Sequence, residues 1–120
     1  LPALLQSIKL QKRASLIGLD WQDIEKIHLK ILEELRELQA EIKADNRDNL
    51  ISELGDVLFS CVNLARKLDI DPEIALMQSN KKFAERVRYV EKSCNEHSKG
   101  KIDQKFLDLY WARSKEEQLD

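Results

Sequence analysis

Four acidic side chains near the middle of the chain form two pairs with the same spacing. Glu34 and Glu37 are three residues apart, and Glu53 and Asp56 repeat that spacing further along the chain. In an α-helix, residues three or four apart lie on the same face. If two helices joined by a short connection carry the pairs, they pack as antiparallel neighbours and the carboxylates face one another across one groove. The spacing therefore predicts a cluster of four carboxylates.

Such a cluster is unfavourable unless its charge is neutralised. Two unit charges about 4 Å apart repel by roughly 4 kcal/mol at an effective dielectric constant near 20. Either the pKa values of the carboxyl groups rise or a cation binds among them. Ligands that are all carboxylates favour a hard cation, so we expect Mg²⁺, with Mn²⁺ as a substitute, rather than zinc.

Two other interpretations of the acidic residues stay open at this point. The first is a solvated helix face that binds no metal. The second is a di-iron centre, which requires Glu-x-x-His pairs. His97 completes no such pair, and Glu25-x-x-His28 is a single pair that lies outside the two acidic pairs. We expect His28 to be a packed core residue and His97 to lie in a loop.

Five helical segments are predicted to position these residues. Apolar periodicity and capping residues indicate their bounds. The first three are predicted from Pro2 to about Ser15, from about Trp21 to Ala44 with Asp20 as N-cap, and from about Asn49 to Leu68. The fourth is predicted from Pro72 to about Lys92 with Asp71 as N-cap, and a short last helix is predicted from Asp103 onward. The polar stretch from Ser93 to Lys101 is predicted to be a loop. We expect an all-α fold, an antiparallel bundle of about four main helices plus the short C-terminal helix, with residues 1–120 as a single domain.

The third helix is apolar on nearly every side, which is typical of a helix buried on most of its surface. A chain of 120 residues with so few helices can hardly cover it alone. We therefore expect a homodimer that is formed through the third helix.

Composition excludes several classes of protein. A net charge of −2 argues against binding of a nucleic acid polymer by bulk electrostatics. No apolar run approaches the roughly 20 residues that span a bilayer, so we expect a soluble protein without a membrane partner. Two cysteines are too few for a disulfide framework, which favours the cytoplasm. The first residue is Leu1 rather than Met, and we expect that a segment precedes it in the natural protein.

Beyond the two acidic pairs, several other segments of the chain resemble one family. They include Gln11-Lys-Arg-Ala, Gly18-Leu-Asp-Trp21, Lys30-Ile-Leu-Glu-Glu-Leu35, Glu53-Leu-Gly-Asp-Val-Leu-Phe59, Val62-Asn-Leu-Ala-Arg-Lys67 and Asn80-Lys-Lys-Phe-Ala-Glu-Arg86. In this order they resemble the MazG family of all-α nucleoside triphosphate pyrophosphohydrolases, and specifically its catalytic C-terminal domain. The resemblance covers nearly the whole chain.

The resemblance implies Mg²⁺-dependent hydrolysis of a nucleoside triphosphate to the monophosphate and pyrophosphate. It implies that Glu34, Glu37, Glu53 and Asp56 are the metal ligands and that Glu33 orients a ligand or the attacking water. It also implies nucleotide-binding roles, with Lys30 approaching the nucleotide, Lys82 and Arg86 holding the triphosphate, and Trp111 lying near the base. From the residues alone, the basic pair could equally be a solvated helix face, and Trp111 a core residue.

The alternative function is a non-catalytic helical module that binds nucleotides or a protein and keeps the acidic site as a relic.

Asp69 stands where the family often has a glycine, so the end of the third helix is less favoured. The polar loop after Ser93 differs most from the family, which leaves the choice of nucleobase open. The number of metal ions per site also stays open, although the charge of the cluster favours two or more.

Overall fold

A computed structural model describes residues 2–20, 23–97 and 103–118 of the chain. These residues form five helices and no strand, namely α1 (Ala3–Leu16), α2 (Ile24–Ala44), α3 (Arg47–Lys67), α4 (Pro72–His97) and α5 (Gln104–Gln118). The predicted all-α helical fold is confirmed. The residues group into two compact units, Leu1–Ile74 and Ala75–Asp120. The expectation of a single domain over residues 1–120 stays a prediction.

The α2–α3 hairpin is the centre of the first unit. Its connection is very short because Asp45 takes a left-handed conformation with φ of 54° that ends α2. The side chain of Asn46 then accepts a hydrogen bond from the backbone N–H of Asn49 and caps α3. Ile27 of α2 and Val57 of α3 are buried between the elements of this unit. The hairpin therefore brings the two acidic pairs to similar heights, as their spacing predicts.

Helix α1 packs on α3 and is linked to it by a long-range hydrogen bond. Gln11 is buried, and its Nε2 donates to the backbone oxygen of Phe59 over 3.0 Å. Gly18, with φ of 92°, follows the end of α1 and provides a left-handed turn. Beyond the turn, the carboxylate of Asp20 forms ion pairs with Arg66 and Lys67 at the end of α3. These contacts fix the first helix against the third.

The second unit is an antiparallel pair made by α4 and α5. The rings of Phe83 and Trp111 meet edge to face with their centroids 5.7 Å apart. The side chain of Asp103 accepts from the backbone N–H of Phe106 and caps α5, as predicted. Cys94 and Tyr110 are buried. The pairing of aromatic rings at several heights holds the two helices in register.

Two of the predicted helix starts are wrong. α2 begins at Ile24 with Asp23 as its N-cap, not after Asp20, because the carboxylate of Asp20 binds the basic end of α3 instead. α3 begins at Arg47, two residues before the expected start, because the side chain of Asn46 caps the helix at that point. Trp21, named as the expected start of α2, lies outside the described residues.

The end of α4 also differs from the prediction. The helix continues to His97, so the residues from Ser93 are helical and not a loop, because Cys94 and Ser93 are buried. Residues 98–102 lie outside the description. α5 has 15 residues and is longer than the short helix expected. The N-cap predicted at Asp71 is confirmed by a 2.9 Å hydrogen bond from the backbone N–H of Glu73.

Two further expectations concern single residues. We predicted His28 to be a packed core residue, and this is wrong because His28 is exposed on α2. It follows the buried Ile27 by one position, and consecutive residues of a helix point in different directions. Asp69 has φ of 56°, which confirms that the end of α3 requires the left-handed conformation that favours glycine. In the described part of the chain, no helix combines the length and apolar character of a membrane-spanning segment.

Candidate active site

Three carboxylates converge between α2 and α3. One oxygen from each of Glu34, Glu37 and Glu53 lies within 4.8 Å of the others. Glu34 is 5% exposed, Glu53 is half-buried and Glu37 is exposed at the edge. The antiparallel hairpin produces this arrangement because position 37 of α2 and position 53 of α3 lie at equal distances from the turn. The sequence spacing predicted a cluster of four carboxylates, and these are three of the four.

Two oxygen atoms of the cluster are buried without a partner. Among the described residues, neither Oε2 of Glu34 nor Oε2 of Glu53 accepts a hydrogen bond. A buried polar atom without a partner is unfavourable and requires an explanation. A divalent cation among the carboxylates would satisfy both atoms, and oxygen ligands are those that Mg²⁺ and Mn²⁺ prefer. The residues present therefore fit a hard divalent cation.

Lys30 partly compensates the charge of the cluster. Its Nζ lies 2.9 Å from Oε1 of Glu34 and 3.9 Å from Oε2 of Glu33. The hydrogen bond from Lys30 lowers the pKa of Glu34, and the same bond raises the pKa of Lys30. Glu34 is therefore a buried carboxylate that stays ionised because a lysine one helical turn away is bound to it.

Glu53 titrates in the opposite direction. Burial raises the pKa of Glu53 to about 7, and the neighbouring carboxylates of Glu34 and Glu37 add to this shift. Without a cation, the cluster therefore keeps a proton on Glu53 near neutral pH. A metal ion that binds here must displace that proton.

We expect the metal-free protein to lose stability as the pH rises through about 7. The folded-state pKa of Glu53 is above its ordinary value of 4.5, so the protonated carboxyl stabilises the fold below pH 4.5, and this stabilisation is lost as the pH rises through the folded value. The variant Glu53→Gln stays neutral at every pH. Urea unfolding in EDTA at pH 5 and pH 8 should show the variant gaining stability over the natural chain mainly at pH 8.

The matched control for this measurement is Glu41→Gln, which removes an acidic charge from α2 outside the cluster. The stability difference between this control and the natural chain should change little between the two pH values. Equal pH profiles for Glu53→Gln and the natural chain would contradict the assignment of a proton to Glu53.

Beside the cluster lies a cavity of about 270 Å³. Lys30, Glu34 and Asp56 line its charged end. The remaining lining residues are uncharged, namely Ile27, Phe59, Ser60 and Asn63. Asp56 is exposed and belongs to this cavity, whereas the three converging carboxylates are those of Glu34, Glu37 and Glu53. Glu34 thus belongs to both the cluster and the cavity, and Asp56 lies on the cavity wall.

Lys82, Arg86 and Trp111 belong to the second unit. The Nε of Arg86 donates to Oε1 of Gln118 over 2.5 Å, and its guanidinium carbon lies 5.6 Å from the centre of the Trp111 ring. Lys82 is exposed, and its backbone oxygen accepts a hydrogen bond from Gln118. The structure thus brings Arg86 and Trp111 together within this unit.

Glu33 is exposed on α2, close to Lys30.

Sequence reasoning missed the polar network behind the cavity. Asp20 was predicted to be a helix cap, yet it binds Arg66, and Arg66 in turn binds the buried side chain of Asn63. Lys67 also binds Asp20, because its Nζ donates to Oδ2 of that carboxylate over 2.9 Å. The two contacts made by Asp20 join residues 46 and 47 positions apart, so no local sequence pattern predicts them.

Comparison with known proteins supplies the family. Residues 22–91, more than half of the chain, match the model of the MazG nucleotide pyrophosphohydrolase domain. The chain belongs to the MazG family. The matched range contains both acidic pairs and Lys30, so the family match and the carboxylate cluster concern the same part of the molecule.

Curated relatives match most or all of the chain. A protein of Thermotoga maritima named nucleoside triphosphate pyrophosphohydrolase/pyrophosphatase MazG is 40% identical over 116 residues, which are 95% of this chain and 44% of the relative. An Escherichia coli K12 protein named nucleoside triphosphate pyrophosphohydrolase is 36% identical over 124 residues, covering 100% of this chain and 47% of the relative. The uncharacterized protein YabN of Bacillus subtilis is 40% identical over 76 residues. This MazG chain therefore spans about half the length of the first two relatives.

Proposed function

We propose that this chain hydrolyses nucleoside triphosphates to nucleoside monophosphate and pyrophosphate. The observation that carries the proposal is the convergence of Glu34, Glu37 and Glu53, two of which have buried oxygens without a partner. The names of the relatives from Thermotoga maritima and Escherichia coli support the same reaction. In this reaction, water attacks the α-phosphorus and the bond to the bridging oxygen breaks, so pyrophosphate leaves.

The residues proposed to hold Mg²⁺ are Glu34, Glu37, Glu53 and Asp56, with Mn²⁺ as a substitute. When bound, the metal neutralises phosphate charge and lowers the pKa of a coordinated water. The chain contributes a hairpin that fixes the carboxylates and a cavity that receives the substrate. Glu33, at the exposed edge, is proposed to orient a ligand or the attacking water.

The basic residues are proposed to bind the triphosphate. Lys30 is bound to Glu34 over 2.9 Å in the metal-free protein, and a cation on Glu34 would free its ammonium group for a phosphate oxygen. Lys82 and Arg86 are the residues that the family resemblance assigns to the triphosphate, and an arginine fork suits phosphate oxygens. Trp111, whose ring packs against Phe83 and Arg86, is proposed to lie near the base.

The active form is proposed to be a cytoplasmic homodimer that pairs through α3. Ile51, Leu54 and Leu58 lie one turn apart on this helix and are 62%, 50% and 60% exposed. An apolar stripe of this kind is typical of an interface. Sedimentation analysis of the chain tests it, and a monomer at micromolar concentration would contradict the dimer.

The products and the position of attack test the reaction. Incubation of the chain with ATP and Mg²⁺ in ¹⁸O-labelled water should yield AMP and pyrophosphate in equal amounts, with the label on AMP in its ³¹P spectrum. Attack on the α-phosphorus puts the water oxygen on the monophosphate, whereas attack on the β-phosphorus puts it on pyrophosphate. Formation of ADP and phosphate, a label on pyrophosphate, or no turnover across the eight common ribo- and deoxyribonucleotides would overturn the proposal.

A further inference from the structure

Asn63 is a buried polar residue on the wall of the cavity beside the carboxylates. It is 3% exposed and lies two helical turns along α3 from Asp56. Phe59 and Ser60 line the same side of the cavity, and Ile27 lines it from α2. The cavity thus has a charged end at the acidic residues and an uncharged end at Asn63.

The orientation of the Asn63 amide is fixed by Arg66. Nη2 of Arg66 lies 2.7 Å from Oδ1 of Asn63. An arginine side chain has donors and no acceptor, so the amide atom that faces it must be the oxygen. Arg66 does not line this cavity, whereas Asn63 does. The amino group of Asn63 is therefore the end of the amide left for a molecule in the cavity.

Arg66 is itself held by Asp20. Nη2 of Arg66 donates to Oδ1 of Asp20 over 2.6 Å, and Lys67 donates to the other carboxylate oxygen over 2.9 Å. These two cations lower the pKa of Asp20 to about 2, so the carboxylate is ionised throughout the neutral range. Asp20 and Arg66 thereby form a fixed support for the amide of Asn63.

The uncharged end of the cavity fits the part of a nucleotide that carries no charge. Attack at the α-phosphorus requires that phosphate to lie at the carboxylates, and the pentose is one ester linkage away. The β- and γ-phosphates need cations, which this end of the cavity lacks among its described lining residues. A volume of about 270 Å³ is below the range of roughly 300–1,000 Å³ typical of pockets for whole drug-sized ligands. It suits a sugar rather than an entire nucleotide.

We infer that Asn63 is a specificity-determining residue that donates its amide N–H to a hydroxyl oxygen of the substrate's pentose, and that Asp20 and Arg66 are its positioning residues. The inference rests on the proposed function, because it requires the α-phosphate at the carboxylates. It assigns discrimination between sugars to α3.

The test compares ATP with its 2′-deoxy, 3′-deoxy and 2′,3′-dideoxy analogues. A neutral hydrogen bond contributes about 1 kcal/mol, so removal of the contacted hydroxyl should lower kcat/KM of the natural chain roughly five-fold. Asn63→Asp keeps an oxygen for Arg66 but lacks the amino group, and Asn63→Ala lacks the whole amide. Both variants should treat the hydroxyl-bearing and hydroxyl-lacking nucleotides nearly alike, whereas the matched control Asn95→Asp on α4 should keep the five-fold ratio.

The positioning residues are tested by the same ratio. Arg66→Lys and Asp20→Asn should reduce the discrimination between sugars, mainly through KM, because the amide loses its fixed orientation. Calorimetric titration with AMP and its deoxy analogues in Mg²⁺ should show the same loss of preference in product affinity. A merely structural role would lower stability and leave these ratios unchanged, and urea unfolding of each variant measures stability separately.

A uniform decrease for all four nucleotides in the Asn63 variants, or an effect that follows the base and not the sugar, overturns the inference. In either case, production of AMP and pyrophosphate by the natural chain leaves the proposed function standing. Absence of that reaction in the natural chain overturns both.

Discussion

Replacement of Glu53 by glutamine should lower kcat/KM for nucleoside triphosphate hydrolysis by roughly 100-fold or more. Glutamine has nearly the same shape as glutamate, but it replaces a carboxylate oxygen with an amino group that cannot bind a cation. Loss of residues that merely orient metal ligands already costs 10- to 100-fold in affinity or activity, so loss of a ligand should cost at least the upper end of that range. Glu34→Gln is expected to behave alike, since its Oε2 is also buried without a partner.

The controls for this prediction separate chemistry from folding. Glu53→Gln should be at least as stable as the natural chain in EDTA at pH 8, because it removes repulsion among carboxylates, so a loss of activity cannot come from unfolding. Glu41→Gln, on α2 but outside the cluster, should retain activity within about three-fold. Isothermal titration should show weaker Mg²⁺ binding in Glu53→Gln. A Glu53→Gln variant with near-natural activity would contradict the assignment of the cluster as the catalytic centre.

Removal of divalent cations should abolish hydrolysis altogether. Without a cation, the carboxylates repel a triphosphate of about four negative charges, and Lys30 stays bound to Glu34. Activity in excess EDTA should equal the rate without protein, and addition of Mg²⁺ or Mn²⁺ should restore it. Full activity in EDTA would remove the metal from the proposed reaction.

The same experiment has a readout that does not depend on activity. A ligand that binds only the folded protein stabilises it, by about 2.7 kcal/mol at a concentration 100 times its Kd. Mg²⁺ should therefore raise the Tm of the natural chain and leave that of Glu53→Gln nearly unchanged. An equal shift in both proteins would place the bound ion elsewhere.

Local rules account for the helices and for the facing of the acidic pairs. Apolar residues at helical spacing predicted each helix, and the side-chain caps at Asp71 and Asp103 were predicted correctly because a cap is formed by residues two or three positions apart. The same rule placed the N-cap of α2 at Asp20, which is wrong. Asp23 is the N-cap, and the carboxylate of Asp20 binds Arg66 from 46 residues away.

The sequence by itself determined the all-α fold and the meeting of Glu34, Glu37 and Glu53, because helical periodicity and a short turn fix which residues share a groove. It could not distinguish Asp56, on the cavity wall, from the three carboxylates that converge, nor could it say which carboxyl group has the raised pKa, which is that of Glu53. Those properties depend on how closely α2 and α3 approach and on what each oxygen atom touches. The contact of Asp20 with Arg66, which in turn binds Asn63, was likewise decided only by the tertiary structure, since Asp20 is 46 residues from Arg66 and the two meet only once α1 has packed on α3.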